Sequence, residues 1–183
     1  FIWGSERSGV HHLYRSAGGK LTPITHGEWV MTGLIGVDEK THRLYFTGNR
    51  DDVLEQHVYW VDYLNPGEPQ RLTERGYWNS GVMDKAGTRM LVTRSSPNQP
   101  PQVYLADASG KRIAWLEENK LDSRHPYAPY LGSHREIKFG TLKADDGIHP
   151  ALGPPGHRLC PEGPLGPGIL GPLPRRLLAV PEV

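Results

Sequence analysis

Apolar residues in the first two-thirds of the chain come in short runs that polar turn formers interrupt. The runs are "FIWGSE" (1–6), "HHLYRS" (11–16), "VMTGLIGV" (30–37), "LYFTGN" (44–49), "HVYWVDY" (57–63), "RMLVTRS" (89–95), "QVYLAD" (102–107) and "RIAWLEE" (112–118). They are rich in β-branched and aromatic residues, and Gly, Asn, Asp and Pro separate them in "SAGGK", "DEKTHR", "NPGEP", "DKAGTR", "SPNQPP" and "DASGK". Short strands at such spacing predict an all-β fold rather than strand–helix–strand units. No stretch of useful length over residues 1–120 has the 3.6-residue apolar period of an amphipathic helix.

The runs also repeat. His12-Leu13-Tyr14, His57-Val58-Tyr59 and Gln102-Val103-Tyr104 follow one another at intervals of about 45 residues. "LTPITHGEW" (21–29) is echoed by "QRLTERGYW" (70–78), and "GVDEKTHRLYFTGNR" (36–50) by "GVMDKAGTRMLVTRSS" (81–96), with Val37 opposite Val82 in the alignment. Each unit is roughly four strands, the size of one β-propeller blade. A single twisted four-stranded sheet cannot cover both of its faces, so such units stack and each seals its neighbour. Residues 1–125 thus predict a partial β-propeller of two to three four-stranded blades, too few to close a ring and marginally stable because open blades leave bare edges and faces. The chain is expected to begin inside a longer protein.

The period ends near residue 125. The stretch 126–147 reads as a Pro- and Tyr-rich linker followed by a strand, "REIKFGTLKADDG". Residues 148–183 change character again: more than half of the chain's 17 prolines lie there, among Gly and Leu. Pro at that density excludes a helix interior or a central strand, so an irregular tail is expected, either a genuine Pro-rich extension or the product of a shifted reading frame in a GC-rich gene.

Composition removes several function classes. With 21 basic and 20 acidic residues and a formal net charge of +1, the chain has no basic stripe for nucleic acid. No apolar run approaches the ~20 residues of a membrane span. The one cysteine, Cys160, rules out an internal disulfide framework and a multi-Cys zinc site.

"FIWGSERSGVHHLYR", "LTPITHGEWVMTGLIGVDEKTHRLYFTGN", "RLTERGYWNSGVMDKAGTRMLVTRSSPNQPPQVYLADASGKRIAWLEEN" and "EIKFGTLKADDG" resemble the later propeller blades of bacterial dipeptidyl peptidase IV-like enzymes, of the prolyl oligopeptidase group of serine peptidases. The resemblance covers about residues 1–147, and Trp3, Ser5, Glu6, Arg7, Ser8, Gly9, His12, Leu13 and Tyr14 carry its most specific string. It implies an eight-bladed propeller capping an α/β-hydrolase domain. The implied chemistry is release of N-terminal dipeptides with Pro or Ala second, by Ser-His-Asp acyl transfer. It also implies that the triad lies downstream of "LKADDG" and the amine-binding Glu pair upstream of Phe1. The chain would then be a fragment that contributes the substrate-gating propeller and hydrolyses nothing by itself. Peptides are the expected partners of the full-length parent, a homodimer its expected assembly, and a periplasmic or secreted location is favoured slightly over a cytoplasmic one. The alternative is a non-catalytic β-propeller used for protein binding, which would continue the 45-residue period or stop rather than turn into "EIKFGTLKADDG".

No catalytic, cofactor-binding or metal-ligating residue is expected within the chain. Ser80 in "NSGV" lacks the first Gly of a nucleophile elbow. His11 and His12 sit on a strand and point to opposite faces, so they cannot share an ion, and His12 and His57 read as structural hydrogen-bonding groups. "GPGILG" (166–171) matches a dinucleotide loop only formally, because Pro-rich sequence flanks it. Asp145-Asp146-Gly147 is a turn signal, and Glu117-Glu118 reads as polarity at a blade edge. Arg7 reads as loop geometry, while Trp3, Trp29, Trp60, Trp78 and Trp115 read as blade-to-blade packing.

Overall fold

The computed structural model describes residues 1–135, 137, 139–141 and 151–152. Eleven strands in the first 117 residues form three antiparallel sheets, each a simple meander in which every strand pairs with the next. The first sheet holds β1 (Ile2–Ser5), β2 (His12–Ala17) and β3 (Lys20–Pro23). The second holds β4 (Met31–Asp38), β5 (Arg43–Gly48), β6 (His57–Asp62) and β7 (Gln70–Arg71), and the third holds β8 (Trp78–Met83), β9 (Arg89–Ser96), β10 (Gln99–Asp107) and β11 (Arg112–Glu117). These are successive blades of a partial β-propeller. The four-stranded blade begins at the Gly-Val strand, so the Tyr-bearing strand that marks the repeat is its third.

Alternation decides the faces. In β9, Met90, Val92 and Arg94 are buried and Leu91 is exposed, the two-residue period of a strand between two environments. Two apolar layers result. Leu13 of the first sheet packs with Met31, Leu44, Phe46, Tyr59 and Val61 of the second. Tyr45 and Val58, on the second sheet's other face, pack with Met83, Met90, Val92, Tyr104 and Ala106 of the third. The middle sheet is therefore sealed on both sides, as blade stacking requires.

The turns are built from aspartates. Asp38 Oδ1 accepts from the Lys40 N–H at 2.9 Å, Asp62 Oδ1 from Leu64 at 2.7 Å, Asp84 Oδ1 from Thr88 at 2.7 Å and Asp107 Oδ1 from Ser109 at 2.9 Å. Asp38, Asp62 and Asp107 bond the N–H two residues on, as in an Asx turn, while Asp84 closes its hairpin by reaching four residues on. Gly110, at φ +86°, lets the β10–β11 turn approach β7's end so closely that a Cβ there would lie 2.6 Å from the Leu72 carbonyl oxygen.

One echo of the repeat is not an equivalence in space. In β8, Val82 pairs with Leu91, on the face turned away from the second sheet. In β4, a bulge between Leu34 and Gly36 shifts the register, so Gly36 opposes Tyr45 and Val37 opposes Leu44, on the other face. A one-residue slip moves a side chain across the sheet. The spatial counterpart of Val82 is Gly36.

Past the third sheet, a short 3₁₀ helix (Ala128–Ser133) and a two-residue ladder pairing Gly140–Thr141 with Ala151–Leu152 are present. Backbone contacts divide the chain into units 1–129 and 130–183. Most of the expected hydrolase strand and of the Pro-rich tail, with Asp145–Gly147, Cys160 and "GPGILG", lies outside the described residues. No helix among the described residues is long and apolar enough to cross a membrane.

Candidate functional site

The polar groups nearest to chemistry are two buried histidines, each fixed by a threonine. His57 Nδ1 lies 3.0 Å from Thr73 Oγ1, and His57 Nε2 lies 2.7 Å from Glu55 Oε2. A carboxylate only accepts, so Nε2 carries the proton and Nδ1 accepts from the Thr73 hydroxyl. Thr73 Oγ1 in turn accepts the Val58 N–H at 3.2 Å. Carboxylate, imidazole and hydroxyl in that order have the connectivity of a nucleophilic triad. Two observations make the cluster structural. His57 and Thr73 are both buried, and the first sheet repeats the arrangement without the carboxylate. There His12 Nδ1 lies 3.1 Å from Thr25 Oγ1, Thr25 Oγ1 accepts the Leu13 N–H at 2.9 Å, and His12 Nε2 donates to the Gly27 carbonyl at 2.9 Å. The common function is to tie the third strand of a blade to the segment after its fourth. The histidines thus have the hydrogen-bonding role that their repeated position predicts.

The residue before each histidine clasps the next sheet. His11 Nδ1 donates to the Met31 carbonyl at 2.8 Å, and the Met31 N–H returns a bond to the His11 carbonyl at 3.0 Å. Gln56 repeats this across the next seam: its Nε2 donates to the Asn79 carbonyl at 2.8 Å, and its main-chain carbonyl accepts the Asn79 N–H at 2.8 Å. His11 therefore joins the first sheet to the second while His12 ties its own sheet, and no group of three or more metal-ligating side chains occurs among the described residues.

In the third sheet, Gln102 stands where the histidine stood, and Arg94 takes over the anchoring. Arg94 is buried; its Nε donates to Gln102 Oε1 at 2.9 Å and its Nη1 to Glu74 Oε2 at 2.5 Å. Its guanidinium lies 4.0 Å from the Tyr77 ring centroid and 5.2 Å from that of Trp115, while Arg112 covers Trp115 at 4.4 Å. Cations and rings alternate, each cation meeting the negative face of a ring. Burial raises the Tyr104 hydroxyl pKa in the same layer. Leu72, Glu74, Arg94, Tyr104 and the turn Gly110–Arg112 line an open cleft of about 350 Å³. It holds no nucleophile paired with a base.

The other residues weighed in the sequence are placed as follows. Ser80 is exposed on β8 opposite Thr93. Glu117 and Glu118 are exposed; Glu117 Oε1 accepts the Asn119 N–H at 3.1 Å, and the Glu118 carbonyl accepts from Gln102 Nε2. Arg7 lies over the rings of Trp3 and Tyr14 at 5.9 and 5.4 Å. Of the tryptophans, Trp29 fills a blade-to-blade role, stacked on Phe46 at 6.0 Å and edge-on to His12 at 4.8 Å. Trp60 and Trp115 border the second apolar layer. Trp3 and Trp78 are 44% and 48% exposed, on the two faces that no other sheet among the described residues covers. The latch threonines and the Arg94–Glu74 pair were not foreseen. The recurring "IT" and "LT" after each Tyr strand were the available signal for the first, and nothing local announces the second.

Comparison with known proteins places these sheets. The profile of the dipeptidyl peptidase IV (DPP IV) N-terminal region matches residues 1–101. Dipeptidyl peptidase 8 of Mus musculus is 33% identical over 165 residues, covering 71% of this chain and 18% of the relative. Its counterpart from Homo sapiens is 40% identical over 134 residues, covering 57% of this chain and 15% of the relative. The chain thus spans under a fifth of the length of these relatives. A crystal structure of Porphyromonas gingivalis dipeptidyl peptidase 4 superposes with a TM-score of 0.70 at 22% identity, covering 82% of this chain and 21% of that one.

Proposed function

The chain belongs to the dipeptidyl peptidase IV N-terminal region family, and from that premise we propose that it is the substrate-gating propeller portion of a serine-type dipeptidyl peptidase. Residues 1–125 are its propeller part, and 126–147 carry the linker and the entry strand of an α/β-hydrolase domain. The parent releases N-terminal dipeptides with Pro or Ala second. The nucleophile, its base and the amine-binding glutamates lie in parts of the parent outside this chain, which has no hydrolytic activity of its own.

One observation carries this reading. The family match falls on the blade sheets, where the triad-like His57–Thr73–Glu55 cluster is a buried strand tie repeated without its carboxylate at His12 and Thr25. A hydroxyl spent on a backbone N–H and closed to solvent cannot attack a peptide carbonyl. The purified chain is therefore expected to release nothing from a chromogenic Gly-Pro amide, while coding DNA downstream of "LKADDG" supplies a Gly-x-Ser-x-Gly elbow in some reading frame. Turnover by the chain that Thr73→Val abolishes would overturn the assignment of chemistry to the parent. Flanking DNA that only continues the 45-residue period would favour the binding-module alternative.

A further inference from the structure

The two seams between sheets are built alike and differ at one place. Ile24 directly follows the last strand of the first sheet and Leu72 that of the second, and their N–H groups bond the Leu13 and Val58 carbonyls. Ile24 is 1% exposed, so the first seam is closed there. Leu72 is only partly buried and lines the open cleft. The position opposite the latch residue differs too. Gly48 opposes His57, and the Trp29 ring lies 3.0 Å from where a Cβ of residue 48 would be. At the equivalent place in the third sheet, Arg94 opposes Gln102. A ring fills the first seam and a cation the second. The cleft also holds excess charge. Arg94, Lys111 and Arg112 line it with one carboxylate, Glu74. Neither Lys111 nor Arg112 is in a salt bridge among the described residues. Two buried donors there lack an acceptor. Arg94 spends Nε and Nη1 on Gln102 and Glu74, and its Nη2 makes no hydrogen bond among the described residues. Tyr104, 5% exposed, has no hydrogen-bond partner for its hydroxyl among them, and the charges acting on it are those of Arg94, Glu74 and Arg112. Such groups are rare in folded proteins and mark a place where an acceptor belongs.

We propose that this cleft between the second and third sheets is a binding site for a carboxylate, carried by a small organic acid or by an acidic side chain of a peptide, with Arg94, Arg112 and the Tyr104 hydroxyl as its donors. A guanidinium matches the two oxygens of a carboxylate, and Glu74 already demonstrates the fit on Arg94 Nη1. The Glu74 side chain is 68% exposed, and an ion pair that open to water is weak. An entering carboxylate therefore competes with it for the same cation. The wall that bears Glu74 is preformed: Thr73 is fixed to His57, and Glu55 Oε1 accepts the Gly76 N–H at 2.8 Å. Leu72 offers the carbon skeleton of the ligand an apolar side, and about 350 Å³ admits a small acid or one side chain. The turn at the rim disfavours phosphate. A phosphate is wrapped by successive main-chain N–H groups, but those of Ser109, Gly110 and Lys111 are all spent on Asp107. The inference does not rest on the peptidase reading.

The test is a titration of the isotope-labelled full chain, read at the amide signals of Gly110, Lys111 and Arg112. Benzoate serves as the free acid, and an alanine–glutamate–alanine peptide blocked at both ends supplies the acidic side chain. Benzamide and the corresponding glutamine peptide are the uncharged isosteres, and inorganic phosphate is the competing anion. At least one carboxylate is expected to shift these signals with a dissociation constant on the order of millimolar, and neither isostere should. Arg112→Gln changes an exposed side chain and is expected to weaken binding about fivefold, while Glu74→Gln removes the competing carboxylate and tightens it about threefold. Circular dichroism checks that both variants keep their strands. A response to benzoate alone assigns the site to a small acid and a response to the peptide alone to an acidic segment; either supports the proposal. Silence toward both carboxylates tenfold above the expected constant overturns it. So does an isostere that binds as well as its acid, phosphate that binds more tightly than either carboxylate, or an affinity that both substitutions leave unchanged.

Discussion

The second and third sheets share strand order and a set of matching residues, yet the same position is core in one and surface in the other. Tyr45 and Leu91 are both the second apolar position of a blade's second strand. Tyr45 is fully buried beneath the third sheet and Leu91 faces outward. The backbone is the same, so burial here belongs to the stack and not to the strand. Hydrophobic stabilisation scales with area removed from water, so equivalent residues should contribute unequally.

That inequality is the comparison most open to attack. Tyr45→Ala is expected to cost about 3–5 kcal/mol, as truncation of a buried aromatic does. Leu91→Ala should stay within about 1 kcal/mol. Urea unfolding at concentrations where the chain is monomeric measures both, and equal losses would break the comparison. The next effect tests the seam. Gly110→Ala places a Cβ against the Leu72 carbonyl at a left-handed φ and should cost about 2–3 kcal/mol. Gly67→Ala, with no atom near its added Cβ, should cost far less.

The latches give a smaller and more symmetrical effect. Thr73→Val takes the hydroxyl from the Val58 N–H and leaves His57 Nδ1 only the Asn79 amide at 3.5 Å, and Thr25→Val removes the hydroxyl from His12 Nδ1 and the Leu13 N–H. Each is expected to cost about 1–2 kcal/mol. A loss at Thr73 alone would show that Glu55 gives the second sheet a different device after all. The smallest effect comes from the turns. The hydroxyls of Thr41 and Thr88 hold the Asp38 and Asp84 carboxyls below the ordinary range. Their contribution is full above the unfolded value near ~4 and drains away as pH falls through the lowered folded values. Unfolding midpoints compared at pH 7 and pH 3 should therefore converge partly in Asp84→Asn, and a variant as acid-sensitive as the wild type would count against the turn aspartates.

Most of the sheet architecture was legible in the chain because a strand writes its environment with period two and the blades write theirs with period 45. The runs around Leu44, Val58, Val92 and Tyr104 became strands as patterned, and the family resemblance led to the matching profile. What escaped was whatever depends on register or on groups far apart in sequence. The Gly-Val echo looked equivalent at residues 37 and 82, but the bulge before Gly36 put the two valines on opposite faces. Arg94 and Glu74 are 20 residues apart and meet only after two sheets have stacked. Trp3 and Trp78 looked like packing groups because tryptophan usually is one, and their exposure follows from which faces are covered.

By itself the sequence determined that this is a repeated antiparallel sheet protein and that His12 and His57 do equivalent work, since strand alternation and repeat length are local and survive without a neighbour; the dipeptidyl peptidase IV resemblance rested instead on particular strings, such as the one from Trp3 to Tyr14. Only the tertiary structure decided which faces are sealed, where the threonine hydroxyls go and which apolar residues stay in water. Those outcomes depend on what lies across a sheet from a residue, and the chain does not record that distance.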